Sequence, residues 1–379
     1  MASWLNQLHL WAQMTRRLAP HAAGFVFCNE ATRVFYDYPQ KLCINNIRVL
    51  FVSDIILTKM QTPLNYTGNK SRLVEDFKRY FPKDPGVFVD LFCGGGAVGL
   101  SIDAKKVIFV DNNKKVIELL KHLSAYKFEL ILGRLEQLIE TYNLSYSAKF
   151  GYSGFRKGVL KTDNNGLKYF NEKGFYQLRD AYNSFPNKLT IEAQDMLYLL
   201  VVYGFNNDMR FNRSGEYNLP VGKTDLNKNN IKKLKGFINR VNNIECEFVC
   251  GDFRDDRIRQ ILFAADFIYA DPPYLVGRAV YNENGNWTES EENDLLALFE
   301  ELHEKDKKIA FSNVLSRVDR ENEILQKWQL FRREDFHIFD IKYHYRSSSY
   351  NKKNRQANER EVLITNVGNA FNRESALYR

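Results

Sequence analysis

At 379 residues, with 44% hydrophobic and 26% charged side chains, the chain has the length and balance to bury a large core as a folded protein. It contains no run of about 18 apolar residues, which sets aside a membrane-spanning enzyme. Lys and Arg exceed Asp and Glu by 54 to 46, a formal charge of +8 that suits a polyanionic partner.

Residues 1–59 are poor in acids, carry Arg16, Arg17, Arg33 and Arg48, and show only short apolar stretches. A targeting peptide would need a longer apolar stretch and a small-residue cleavage site, so an accessory N-terminal extension of unknown role is expected. Met60 stands just ahead of the first motif, where translation of the natural protein could begin.

From about residue 61, short β-rich runs ending in Asp or a polar turn alternate with helical stretches, the pattern of an α/β sheet. Strands are expected at Val87–Asp90, Val107–Asp111, Phe267–Asp271, Lys308–Ser312, Phe336–Tyr343 and Glu361–Thr365. Between Asn112 and about Arg240 the rhythm breaks: helical segments at Lys114–Leu132 and Ile191–Tyr203 flank a Gly-, Asn- and Lys-rich stretch, which reads as an inserted domain. Basic residues interleaved with Asn, Ser and aromatic side chains crowd residues 221–240 and 342–360, a mixture able to grip phosphates and stack on bases. Cys28, Cys43, Cys93, Cys246 and Cys250 are odd in number and scattered, which argues for a reducing compartment. No His or Cys completes a zinc site beside Cys246 and Cys250, and no metal is expected.

The run from Val87 through Gly99 is a buried strand entering a glycine-rich turn. Gly94, Gly96 and Gly99 make a GxGxxG, and Asp111 ends the next strand where a ribose-binding acid belongs. By itself this fits an NAD enzyme, a methyltransferase or a tight turn. Asp90 directly before the loop tips the balance, because a carboxylate suits the ammonium or sulfonium of S-adenosylmethionine and would repel a pyrophosphate.

A second apolar strand, from Asp266, stops at Asp271-Pro272-Pro273-Tyr274, at the carboxyl edge of the expected sheet. The prolines remove backbone donors and leave an acceptor-rich corner beside an aromatic ring. That corner suits amino methylation. The Asp271 carboxylate and Pro272 carbonyl would take the two hydrogens of an adenine amino group, and Tyr274 would stack on the flipped base.

Together these motifs resemble the Dam-like (D12 class) adenine-specific DNA methyltransferases, from about Asn65 to Asn366. The resemblance implies a Rossmann-like α/β S-adenosylmethionine-dependent methyltransferase sheet with one antiparallel edge strand and an inserted, mostly helical target-recognition domain. The catalytic domain would span 60–113 and 241–379, and the recognition domain 114–240. It further implies cofactor contacts from Tyr66, Lys70, Phe92, Gly94, Gly96, Asp111, Asp252 and Phe253, with Lys70 meeting the methionine carboxylate and Asp252 with Phe253 meeting the adenine. Phe205 through Lys223 is similar to the family's DNA-contacting hairpin, which would place Phe205, Asn206, Arg210, Asn212, Arg213 and Lys223 against double-stranded DNA.

The expected protein is a site-specific adenine methyltransferase, monomeric and cytoplasmic at the nucleoid. Restriction-modification beside an endonuclease that acts independently, and an orphan role without one, both stay open. The alternatives are amino methylation of RNA or of a protein glutamine, for which the related Asn-Pro-Pro-Tyr serves, and an NAD-dependent Rossmann oxidoreductase.

Overall fold

A computed structural model describes residues 34–36, 43–44, 47–51, 62–64, 70, 73–155, 164–276, 287–318, 320–341 and 359–368. Tyr66 and the basic stretch 342–358 lie outside these residues. The chain divides into Met1–Lys59 and Met60–Arg379. Within the first unit, strands β1 (Val34–Tyr36), β2 (Cys43–Ile44) and β3 (Ile47–Phe51) form a small sheet with β3 at its centre, parallel to β1 and antiparallel to β2.

The second unit is built on an eight-stranded sheet. Its parallel core comprises β4 (Val87–Leu91), β5 (Lys106–Asp111), β6 (Glu245–Cys250), β7 (Phe267–Ala270) and β8 (Lys308–Arg317). These lie in the order β8-β7-β4-β5-β6, so the chain first builds outward from β4 and later returns to its other side. The crevice beyond the carboxyl ends of β4 and β7 is therefore a topological switch point, where open α/β sheets bind ligands. The remaining strands are β9 (Arg320–Glu321), a short hairpin return on β8, then β10 (His337–Asp340) and β11 (Glu359–Thr365). The antiparallel strand expected at the edge is β11, and it lies inside the sheet between β8 and β10. Its apolar Val362, Leu363 and Ile364 are all buried, as an interior position requires.

Period-two alternation along the strands separates two cores. Phe88, Val107, Phe109, Phe267 and Tyr269 face one side, while Val89, Leu91, Ile108, Val110, Ile268 and Ala270 face the other. The first side is covered by α1 (Val74–Phe77), α2 (Lys114–Ser124), α3 (Phe128–Thr141), α5 (Lys168–Ser184), α6 (Ile191–Tyr203) and α7 (Lys228–Val241), with the short α4 (Ser147–Phe150) preceding α5 in sequence. The second is covered by α8 (Asp256–Ala264), α9 (Glu289–Glu304) and α10 (Glu323–Phe331).

The helical segment between β5 and β6 thus shares its apolar core with the sheet. Its centre is α6, buried from Ala193 to Tyr203, where Asp195 is satisfied by His122 at 2.7 Å and by the Arg134 guanidinium. The single helix expected over Lys114–Leu132 is two helices, broken where Lys127 turns extended (φ −64°, ψ 145°). No Gly or Pro marks that break. It lets α3 lay Ile131, Leu135 and Ile139 into the same core. Strand β6, absent from the sequence-based expectation, alternates exposed Glu245 and Glu247 at a sheet edge, where Lys106 pairs with both. Among the described residues, no helix is long and apolar enough to cross a membrane.

Candidate active site

The glycine loop leaves β4 through a tightly bonded bend. Phe92 adopts a left-handed conformation (φ 59°), as do Gly94 (φ 48°) and Gly96 (φ 74°). For Phe92 this costs about 1–2 kcal/mol, offset because the bend throws its ring sideways into an aromatic cluster. The loop is fastened by acids. The Gly99 amide donates to Asp90 Oδ2 at 2.8 Å, the Gly94 amide to Asp111 Oδ2 at 2.8 Å, and the Asn113 amide to Asp111 Oδ1 at 2.8 Å. Asp90, expected to face a cationic ligand, is 2% exposed and lies under the loop it fastens. Burial pushes the Asp90 carboxyl well above its usual range, against the pull of the Gly99 amide, and the charges of Asp271 and Asp111 add to the rise. Asp111 is likewise raised by burial.

The Asp271–Tyr274 corner sits one strand away. In the β4–β7 register Leu91 faces Ala270, and the Asp271 amide donates to the Leu91 carbonyl at 3.2 Å. Asp90, Asp111 and Asp271 thus gather at the carboxyl ends of three consecutive strands. Lys70 reaches this edge almost fully buried, 2.9 Å from Asp271 Oδ2 and 3.4 Å from Glu361 Oε1. The Tyr274 hydroxyl donates to Asp271 Oδ1 at 2.7 Å, lies 3.1 Å from Glu361 Oε1, and accepts from Lys70 Nζ at 2.9 Å. Burial raises the Glu361 carboxyl, partly countered by Lys70. Lys70, expected to meet a ligand carboxylate, is paired here with Asp271 and Glu361.

On the other side of the glycine loop is a recess lined by Leu91, Phe92, Val110, Asp111, Asn112, Gly251, Asp252, Phe253 and Trp287. Phe92, Phe253 and Trp287 form an aromatic triangle, with centroids 5.7 Å (Phe92 to each partner) and 5.9 Å (Phe253 to Trp287) apart. Such faces accept a planar ring. Asp252 is committed to Arg254, which holds it through Nε at 2.8 Å and Nη2 at 3.0 Å and, with its backbone amide, keeps the carboxyl below its usual range.

A hairpin is present over the expected segment Phe205 to Lys223, between α6 and α7. Bridges at Gly204–Val221 and Phe211–Tyr217 define it, and the buried Tyr217 anchors it by donating its hydroxyl to the Leu200 carbonyl at 2.8 Å. Phe205, Asn206, Arg210, Asn212, Arg213 and Lys223 are all exposed. Asn212 is engaged within the turn by Glu216, and Arg210 Nε donates to Asn218 at 2.9 Å. The other end is braced by Lys115, in the first turn of α2. Its ammonium donates to the Gly215 carbonyl at 3.1 Å and lies 3.3 Å from the Phe211 ring centroid.

The sequence profile of the D12 class N6 adenine-specific DNA methyltransferases matches residues 66–347. The chain belongs to this family. Its relatives include the type II methyltransferase M.FokI of Planomicrobium okeanokoites, 33% identical over 316 residues that cover 82% of this chain and 43% of the relative. The modification methylase StsI of Streptococcus sanguinis is 30% identical over 85% of this chain and 45% of its own. The chain therefore spans about half the length of these two relatives. The DNA adenine methylase of Escherichia coli K12 is 24% identical over 70% of this chain and 84% of its own.

Within this family member, the structure brings Lys70 to the expected Asp271–Tyr274 corner and Phe92 and Phe253 to one recess. Sequence reasoning missed Glu361, Trp287 and Lys115 as site residues. Glu361 had been read only as the start of the last strand. Trp287 stands alone in sequence, and its sole local signal is that it precedes the Thr288-to-Glu291 capping box of α9.

Proposed function

We propose that this chain transfers a methyl group from S-adenosylmethionine to the exocyclic N6 amino group of adenine in duplex DNA. The observation that carries this reading is the junction of the Asp271 corner with the glycine loop on neighbouring parallel strands, bonded directly through Leu91. The site also suits the methyl donor itself. Glycine suits position 96, where φ is 74° and a Cβ would lie 3.1 Å from the Phe109 ring, and the turn it allows is the kind that cradles a cofactor. The aromatic recess favours a purine. Lys70, Phe92, Gly94, Gly96, Asp111, Asp252 and Phe253 would hold the donor, which supplies an electrophilic methyl on a sulfonium.

The protein's own groups then prepare the amino nitrogen. A flipped adenine presents its amino hydrogens to Asp271 Oδ1 and the Pro272 carbonyl, displacing the Tyr274 hydroxyl from Oδ1 and freeing that ring to stack. Those two hydrogen bonds draw the nitrogen toward a tetrahedral geometry, which takes its lone pair out of conjugation with the ring and makes it nucleophilic. As the N–C bond forms and the methyl–sulfur bond breaks, the donor would leave as a neutral thioether and one amino proton would pass to Asp271, which is paired beforehand with Lys70. The exposed hairpin residues Phe205, Asn206, Arg210, Asn212, Arg213 and Lys223 supply the DNA-facing surface of the 114–240 insert. Incubation with methyl-labelled donor and either duplex DNA or RNA tests the reading. Label is expected in the adenines of DNA, and label in RNA alone would overturn it.

A further inference from the structure

Trp287 is held in place more firmly than an isolated surface aromatic requires. Its indole N–H donates to Glu292 Oε2 at 2.6 Å, while Asn313 and Asn322 donate to Oε1 at 3.0 and 2.8 Å. Glu292 is 1% exposed, and burying a carboxylate is unfavourable unless the fold draws something from its fixed position. Here each oxygen is engaged, one by amides from β8 and the start of α10, the other by the indole. The backbone after Trp287 is pinned as well, because Thr288 caps α9 with Glu291 in reciprocal bonds. Arg254 ties this wall of the recess to the opposite one, reaching Asp252 at 2.8 Å, Glu291 at 3.3 Å and Asp294 at 3.5 Å.

Resting on the reading of the recess as the methyl donor's purine site, we propose that Trp287 is its third aromatic wall, aimed by Glu292, and that it determines affinity for the purine end of the donor. Phe92 and Phe253 already touch, and Trp287 meets Phe92 edge-on at 84° and Phe253 at 42°, so the indole extends their apolar wall on the recess side rather than standing apart from it.

The test uses the full chain and S-adenosylhomocysteine, with binding followed by calorimetry and by tryptophan fluorescence. The chain has four tryptophans, and Trp328 is packed in the second core, so a ligand-dependent signal that Trp287→Phe removes reports this residue. Trp287→Ala is expected to weaken binding roughly tenfold to hundredfold, the range of a base–aromatic contact, while duplex DNA affinity is unchanged. Glu292→Gln places an amide where three donors converge and should weaken binding in the native background. In a Trp287→Ala background it should add nothing, a non-additivity that a general loss of stability would not produce. Native-like affinity in Trp287→Ala would overturn the proposal. No binding by the unaltered chain would instead overturn the reading of the recess on which it rests.

Discussion

The two working regions of this molecule are built on opposite principles. At the sheet edge, Lys70, Asp271, Tyr274 and Glu361 are buried or half-buried, and each is held by the others at 2.7 to 3.4 Å. Along the hairpin the chemistry-bearing side chains project into solvent, and order comes from beneath, from buried Tyr217 and from the Lys115 brace. Chemistry needs groups fixed against one another before the substrate arrives, which a low-dielectric cluster at parallel strand ends provides. Reading a duplex needs side chains that reach outward from a stable platform.

That contrast can be broken region by region. The largest effect is expected for Asp271→Ala, a fall in kcat of roughly 10²–10⁴-fold with S-adenosylhomocysteine still bound. Retained turnover would remove Asp271 from the mechanism. Gly99→Ala comes next, since the added Cβ would lie 2.4 Å from the Phe109 ring. Overpacking of about 1–3 kcal/mol should appear as a lower melting temperature and weaker donor binding. On the exposed side, Arg213→Ala should weaken duplex binding about tenfold and reduce the salt slope by about one, leaving donor affinity alone. A variant that loses donor affinity instead would show that the regions are not separable in this way.

The smallest effect sharpens the electrostatic side of the comparison. Asp90 titrates well above its ordinary 3.8 in the folded state, chiefly because it is buried. Stability from this group is therefore fully present below the unfolded value and lost as pH rises through the folded one. Asp90→Asn, which keeps an acceptor for the Gly99 amide, should melt progressively higher relative to the native chain as pH is raised from about 4 to about 8. A pH-independent difference between the two would contradict the assignment.

Much of the candidate site at the sheet edge was legible in the residues. Glycines entering a helix-like turn, an acid ending the next strand and a strand stopped by two prolines are local events, and their meaning survives without coordinates. Glu361 was not legible in this way, because it lies 90 residues beyond Asp271 on a strand that reads only as apolar. Its place depends on β11 running antiparallel between β8 and β10, a pairing no local pattern signals. Trp287 escaped notice for a related reason, since nothing in sequence links it to Phe92 or Phe253.

From the sequence alone, then, come the α/β class, the two motifs, the hairpin and membership of a methyltransferase family, because each motif rests on spacing within one short segment and the class and family on the order of such segments along the chain. Only the tertiary structure decides that Lys70 is the counter-ion of Asp271, that Glu361 shares it, and that Trp287 completes a recess. Those facts join segments far apart in the chain, and the distances between them are fixed by strand order and packing.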